Sequence, residues 1–139
     1  MGTEDNIRKI RDLGVLVVDD DMFTRRTIVA LLRELGTRTA WDASDGMAAL
    51  EFLRKRGPEV DVILCDLDMP RMGGLELLHA LRTATGNELA AIPVIVTTVH
   101  REAETVKRAI TYGITGYLVK PVTKTDLSKR LSLVVQRGR

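Results

Sequence analysis

Only one cysteine, Cys65, occurs in the 139 residues, so no internal disulfide framework can form, and this usage fits a reducing compartment. It stands inside an apolar stretch without a partner and reads as a buried packing residue rather than a reactive thiol. No apolar run approaches the roughly 20 residues of a membrane span. The first residues include Glu4 and Asp5 and no apolar h-region, which argues against a secretory signal. The charge balance, 21 Lys and Arg against 19 Asp and Glu, leaves a net +2, too little to argue for nucleic acid or a membrane surface. The basic runs Arg54-Lys55-Arg56 and Arg137-Gly138-Arg139 read as a solvated helix face and a charged tail. Internal repeats, low-complexity tracts and linkers are absent as well. What is left is a cytoplasmic soluble protein of one domain's length, with 45% hydrophobic and 29% charged residues.

Within it, apolar runs of strand length alternate with stretches of helical periodicity. Strands are predicted at Gly14–Asp19, Thr37–Ala43, Asp61–Asp66, Pro93–Thr98 and Thr115–Lys120. Three of them are nearly continuous Val/Ile/Leu runs, as parallel strands covered on both faces require. The first amphipathic segment carries Ile28, Val29, Leu31, Leu32 and Leu35 and stops at Gly36. The second runs from about Asp45 to Arg56 with Met47, Leu50 and Leu53 on one side, ended by Gly57-Pro58. The third carries Leu75, Leu78 and Leu81 and gives way to a polar loop over Thr83–Glu88. The fourth spans about Glu102 to Tyr112, with Ala103, Val106 and Ala109 inward, and ends at Gly113. The fifth follows Pro121, with capping-box-like spacing of Thr123 and Asp126 and a stripe of Leu127, Leu131, Val134 and Val135. Five β and five α units in alternation predict an α/β, doubly wound five-stranded parallel sheet, flavodoxin-like, with strand order 2-1-3-4-5. The core spans about residues 14–136, and residues 1–13 form an extension or short helix.

Two of the apolar runs end in acid: Val15-Leu16-Val17-Val18 leads into Asp19-Asp20-Asp21, and Val62-Ile63-Leu64-Cys65 into Asp66-Leu67-Asp68. Open α/β folds bind ligands outside the carboxyl ends of their strands. In this strand order those ends carry Asp19 and Asp20, Asp66, Thr97 and Thr98, and Lys120. Crowded carboxylates repel unless a cation lies between them, and hard oxygen ligands favour Mg²⁺. Asp21 alone is better read as the N-cap of the first helix. The set suits phosphoryl transfer: Asp66 can accept a phosphoryl group as an acyl phosphate, Asp19 and Asp20 can hold the metal, Lys120 can pair with the added group, and Thr98 can hydrogen-bond it.

The stretches VLVVDDD, DLDMPRMGG, VTT and GYLVKP, in this order, resemble the receiver domain of two-component response regulators, including single-domain receivers of the chemotaxis type. The resemblance covers about Gly14 to Val135. It implies that Asp66 is the phospho-acceptor, that Asp20 ligates Mg²⁺ (or Mn²⁺) directly and Asp19 through water, and that Asp68 ligates it by its backbone carbonyl. It further implies that Thr98 is the switch hydroxyl, Tyr117 the switch aromatic and Lys120 the conserved-type lysine, followed by Pro121 in a bond usually cis in the family. Gly74 matches the glycine that lets the loop after the third strand enter its helix. Asp68, Val99 and His100 fall at positions that tune reaction rates. Val99 is bulkier than the small residue usual there, and Ile114 replaces the alanine of a Gly-Ala pair. The partners implied are a histidine kinase or histidine phosphotransfer protein and a downstream effector, with no direct nucleic acid and no membrane.

The resemblance implies a signalling module that catalyses only its own phosphorylation and dephosphorylation, and remodels a face made by the fourth helix, fifth strand and fifth helix. Two alternatives stand beside it. A small haloacid-dehalogenase-like phosphohydrolase would use Asp66 and Asp68 as its DxD pair, though that motif normally follows the first strand. A degenerate receiver would act only as an interaction module, though the acid, threonine and lysine set is complete. The chain is expected to carry no DNA-binding or enzymatic effector, as a free-standing receiver or one excised from a larger protein.

Overall fold

Strands buried on both faces and joined by helices can pair in parallel only if the helices cross over and cover the sheet. The computed structural model, which describes residues 9–69, 72–84, 88–99 and 104–137, has this arrangement. Its elements are β1 (Gly14–Val18), α1 (Met22–Glu34), β2 (Thr39–Ala43), α2 (Gly46–Arg56), β3 (Val62–Asp66), α3 (Gly74–Arg82), β4 (Val94–Thr98), α4 (Glu104–Thr111), β5 (Gly116–Val119) and α5 (Lys124–Arg137). All pairings are parallel and the order is β2-β1-β3-β4-β5, as predicted.

Successive strand residues face opposite sides, so one sheet sorts its side chains into two cores. Leu16, Val18, Ile63, Cys65, Val94 and Val96 pack with Leu53 of α2, Leu77, Leu78 and Leu81 of α3, and Val106 of α4. Val15, Val17, Val62, Leu64, Ile95 and Leu118 pack with Ile28 and Leu32 of α1 and Leu127, Leu131 and Val134 of α5. β1, β3 and β4 are buried along their whole length, whereas β2, the polar edge strand, buries only Ala43. Cys65 is fully buried and burial pushes its thiol well above the ordinary range, so it packs and does not react.

Some boundaries differ from the sequence reading for reasons visible in the hydrogen bonds. β2 begins at Thr39: the Thr37 amide closes the turn out of α1 on Leu32 O (3.2 Å), and the Arg38 amide bonds Leu13 O (3.0 Å), just ahead of β1. That turn passes through Gly36 at φ +81°, a conformation that favours glycine. Met47 does not join the buried stripe and is 52% exposed. With Asp45 as N-cap, accepting from the Ala48 amide, the inward positions of α2 are Gly46, Ala49 and Leu53. Asp126 N–H donates to Thr123 Oγ1 at 3.1 Å, as the capping spacing predicts. The predicted start of α4 at Glu102 and Ala103 lies outside the described residues, as does most of the leading segment, of which the turn Ile10–Asp12 is seen.

One side chain knits the end of the sheet away from the acidic rim. Arg82, at the C-terminus of α3, donates to Tyr112 O (2.8 Å), Ile92 O (3.1 Å), Ala90 O (3.2 Å) and Gly113 O (3.2 Å). It thereby joins α3, the lead into β4 and the exit of α4.

Candidate functional site

β1 and β3 are neighbours in register, with Val18 opposite Cys65, so the next residues, Asp19 and Asp66, emerge side by side at one rim. On the other side of β3, Asp66 is opposite Thr97, and Thr98 ends β4. Lys120 follows β5, its amide donating to Thr98 O at 2.8 Å. Its side chain reaches back across the rim. The Lys120 Nζ lies 3.0 Å from Asp19 Oδ2 and 3.3 Å from Asp66 Oδ2. The Lys120–Pro121 bond is cis.

Asp19 and Asp66 are 1% and 4% exposed, while Asp20 is exposed. Burial raises the Asp66 carboxyl to about 6; the Asp19 charge adds to the rise, and the Lys120 ammonium and the Asp68 amide oppose it. Burial alone lowers the Lys120 ammonium, but Asp19 and Asp66 outweigh it and hold Lys120 above its ordinary value. Carboxylate oxygens of Asp19, Asp20 and Asp66 lie within 4.8 Å of one another. A single ammonium leaves two formal negative charges there uncompensated. The buried Asp19 Oδ2 meets the Lys120 ammonium at 3.0 Å and has no well-aligned hydrogen-bond donor among the described residues, which leaves it room for a further positive partner. Three clustered hard oxygen donors, excess negative charge and a buried carboxylate oxygen with the Lys120 ammonium as its only partner among the described residues fit a small divalent cation.

The surrounding loops hold the acids in place. Asp21 N–H donates to Asp19 Oδ1 at 2.8 Å, and Asp21 itself caps α1 by accepting from the Thr24 amide at 2.9 Å. The bonds from Thr24 hold the Asp21 carboxyl below its usual range, in keeping with a cap rather than a ligand. After β3, Asp68 N–H donates to Asp66 Oδ1 at 3.2 Å, while the Asp68 residue is exposed. The chain then enters α3 through Gly74, where a Cβ would stand 2.5 Å from Asp66 O and 2.7 Å from Leu67 Cα. Only glycine fits so close to the backbone of the central acid.

Of the remaining predicted residues, Thr98 is buried at the end of β4, and Tyr117 is half-buried on β5 against the core shared by α2, α3 and α4. Val99 is 55% exposed and borders an apolar groove of about 370 Å³ that Phe23, Thr27, Lys120, Pro121 and Val122 also line. His100 lies outside the described residues. The structure thus brings Asp19, Asp20, Asp66 and Lys120 together, with Thr98 on the adjoining strand end. Periodicity missed Arg25 of α1, which donates from Nη1 to Asp19 O (2.8 Å) and from Nε to Asp42 Oδ2 (3.2 Å). On a helix a lone arginine reads as solvated surface. Only its place in the first turns of α1, where the helix dipole disfavours a cation, hinted at a partner.

Comparison with known proteins bears on the same residues. The family model described as the response regulator receiver domain matches residues 15–132. The chain is 35% identical over 127 residues to the chemotaxis protein CheY-3 of Vibrio cholerae serotype O1, covering 91% of this chain and 95% of that protein. It is 34% identical over 125 residues to the chemotaxis protein CheY of Pseudomonas aeruginosa, covering 90% and 98%. The solved structure of Vibrio cholerae chemotaxis protein CheY4 superposes with a TM-score of 0.78 at 31% identity, covering 88% of this chain and 98% of that one.

Proposed function

The chain belongs to the response regulator receiver family, and from that membership we propose that Asp66 accepts a phosphoryl group from a histidine kinase or histidine phosphotransfer protein. In the transfer an Asp66 carboxylate oxygen forms the new P–O bond as the donor's bond to phosphorus breaks. Asp19, Asp20 and Asp66, with the Asp68 carbonyl, hold Mg²⁺ or Mn²⁺. When bound, the cation spreads positive charge over the equatorial oxygens of the transferring group. Lys120 supplies the second positive charge, and the hydroxyl of Thr98 hydrogen-bonds the phosphoryl group once it is in place.

The observation that carries this reading is the Lys120 ammonium set between two buried carboxylates, 3.0 Å from Asp19 and 3.3 Å from Asp66. A lysine so placed can exchange a carboxylate oxygen for a phosphoryl oxygen with little movement. The reading extends outward through Thr98 and Tyr117 to the face made by α4, β5 and α5, whose remodelling alters the grip on a downstream effector. The protein acts as a cytoplasmic signalling module that turns over no metabolite, and no observation favours the phosphohydrolase alternative. The test is intact mass after acetyl phosphate and Mg²⁺. A phosphate-sized gain is expected in the wild type and not in Asp66→Ala; an equal gain in both would refute the assignment.

A further inference from the structure

Arg25 is poorly placed by local rules. It lies in the N-terminal part of α1, whose first turn carries no acidic residue, where a cation opposes the helix dipole. It also stands next to a cluster of carboxylates that must attract a metal ion, and a positive charge there works against that. Yet its side chain is only 15% exposed and two of its three guanidinium nitrogens are committed. Nη1 donates to the Asp19 carbonyl at 2.8 Å and Nε donates to Asp42 Oδ2 at 3.2 Å. Asp42 is on the edge strand β2, so Arg25 ties the edge of the sheet to the rim of β1.

The Asp19 carbonyl shares its peptide plane with the Asp20 amide. Fixing that oxygen therefore fixes the N–Cα bond of the exposed Asp20 and narrows the directions its side chain can take. The other ties on this segment among the described residues, the Asp19 amide to Ala43 O of β2 at 3.1 Å, the Asp21 amide to Asp19 Oδ1 at 2.8 Å and Lys120 Nζ to Asp19 Oδ2 at 3.0 Å, leave the Asp19 carbonyl to Arg25. Resting on the proposed metal site, we propose that Arg25 is a positioning residue: braced by Asp42, it clamps the Asp19–Asp20 peptide so that the two acids converge on the cation. Outer groups that orient metal ligands in this way commonly change metal affinity when they are lost.

Charge and position predict opposite signs, which makes the proposal testable by Mg²⁺ binding alone. Removing a cation beside carboxylates should tighten Mg²⁺ binding; removing a clamp should weaken it. Isothermal titration of the full chain with Mg²⁺, with circular dichroism to confirm folding, is expected to show about tenfold weaker binding for Arg25→Met. Arg25→Lys keeps the charge but not the planar two-armed fork, and is expected to bind several-fold more weakly than wild type. Equal or tighter binding by Arg25→Met overturns the proposal. If that variant does not fold, unchanged binding by Arg25→Lys overturns it. Wild-type protein that binds no Mg²⁺ would instead overturn the metal site itself, and this proposal with it.

Discussion

Asp66 carries its charge at neutral pH against the preference of its surroundings. Burial raises its carboxyl from 3.8 to about 6, so the folded chain holds a proton that the unfolded chain has already lost. Above about pH 6 the ionised, buried group therefore costs stability, and as the pH falls from there toward 4 the folded state gains. For the metal-free protein, Asp66→Asn is expected to raise thermal stability near neutral pH by about 1–2 kcal/mol, with the advantage shrinking below about pH 5. Melting curves at the two pH values check this, and no gain at neutral pH would contradict it. Val99 is exposed at the mouth of the groove beside Lys120, where on the proposed function it would bear on access. Val99→Ala is expected to speed phosphorylation by acetyl phosphate or to alter dephosphorylation; unchanged rates for both would remove it from the mechanism. Residues that end apolar runs were legible in the sequence, because a carboxylate or ammonium at a strand end must emerge at the rim. Arg25 was not, since its role comes from a contact with another segment.

At the scale of elements, the junctions decide whether the site is held. The entry to α3 is the tightest, with a Cβ at Gly74 falling 2.5 Å from the carbonyl of Asp66. Gly74→Ala must push backbone against backbone and is expected to cost about 2 kcal/mol or more and to weaken Mg²⁺ binding, both read by thermal melts with and without the ion. At the opposite end, Arg82 of α3 serves four carbonyls from two other segments. Arg82→Met leaves those oxygens without their donor and is expected to destabilise the chain by about 2–3 kcal/mol in urea unfolding, without abolishing phosphorylation. β1, β3 and β4 were readable as strands because burial on both faces forces continuous apolar runs. The start of β2 was not, because the Thr37 amide still serves the turn out of α1, and Met47 was misread because α2 turns Gly46, Ala49 and Leu53 inward.

For the whole molecule, the strand order puts Lys120 on the far side of Thr98 from Asp66 and lets one side chain span the rim. That order followed from strict β/α alternation and right-handed crossover, so the fold and the acid, threonine and lysine set were legible together. A site with excess negative charge strains the folded state until a cation enters. Mg²⁺ at about a hundredfold excess over its dissociation constant is accordingly expected to stabilise the protein by about 2.7 kcal/mol, and Asp20→Asn to reduce that gain. Passing a local charge change outward is more demanding. A nearly complete switch of the α4, β5 and α5 face needs roughly 5.5 kcal/mol of differential stabilisation, more than one hydrogen bond from Thr98 can supply. On the proposed function, the contacts of Lys120 and Thr98 would therefore have to act together on the phosphoryl group. All of this depends on which carboxylate receives phosphate, and that can be read chemically. After acetyl phosphate and Mg²⁺, borohydride reduces an acyl phosphate on aspartate to homoserine, which peptide mass spectrometry locates. Homoserine at position 66 is the predicted result; homoserine at Asp20 or Asp68 with Asp66 unchanged would contradict the account.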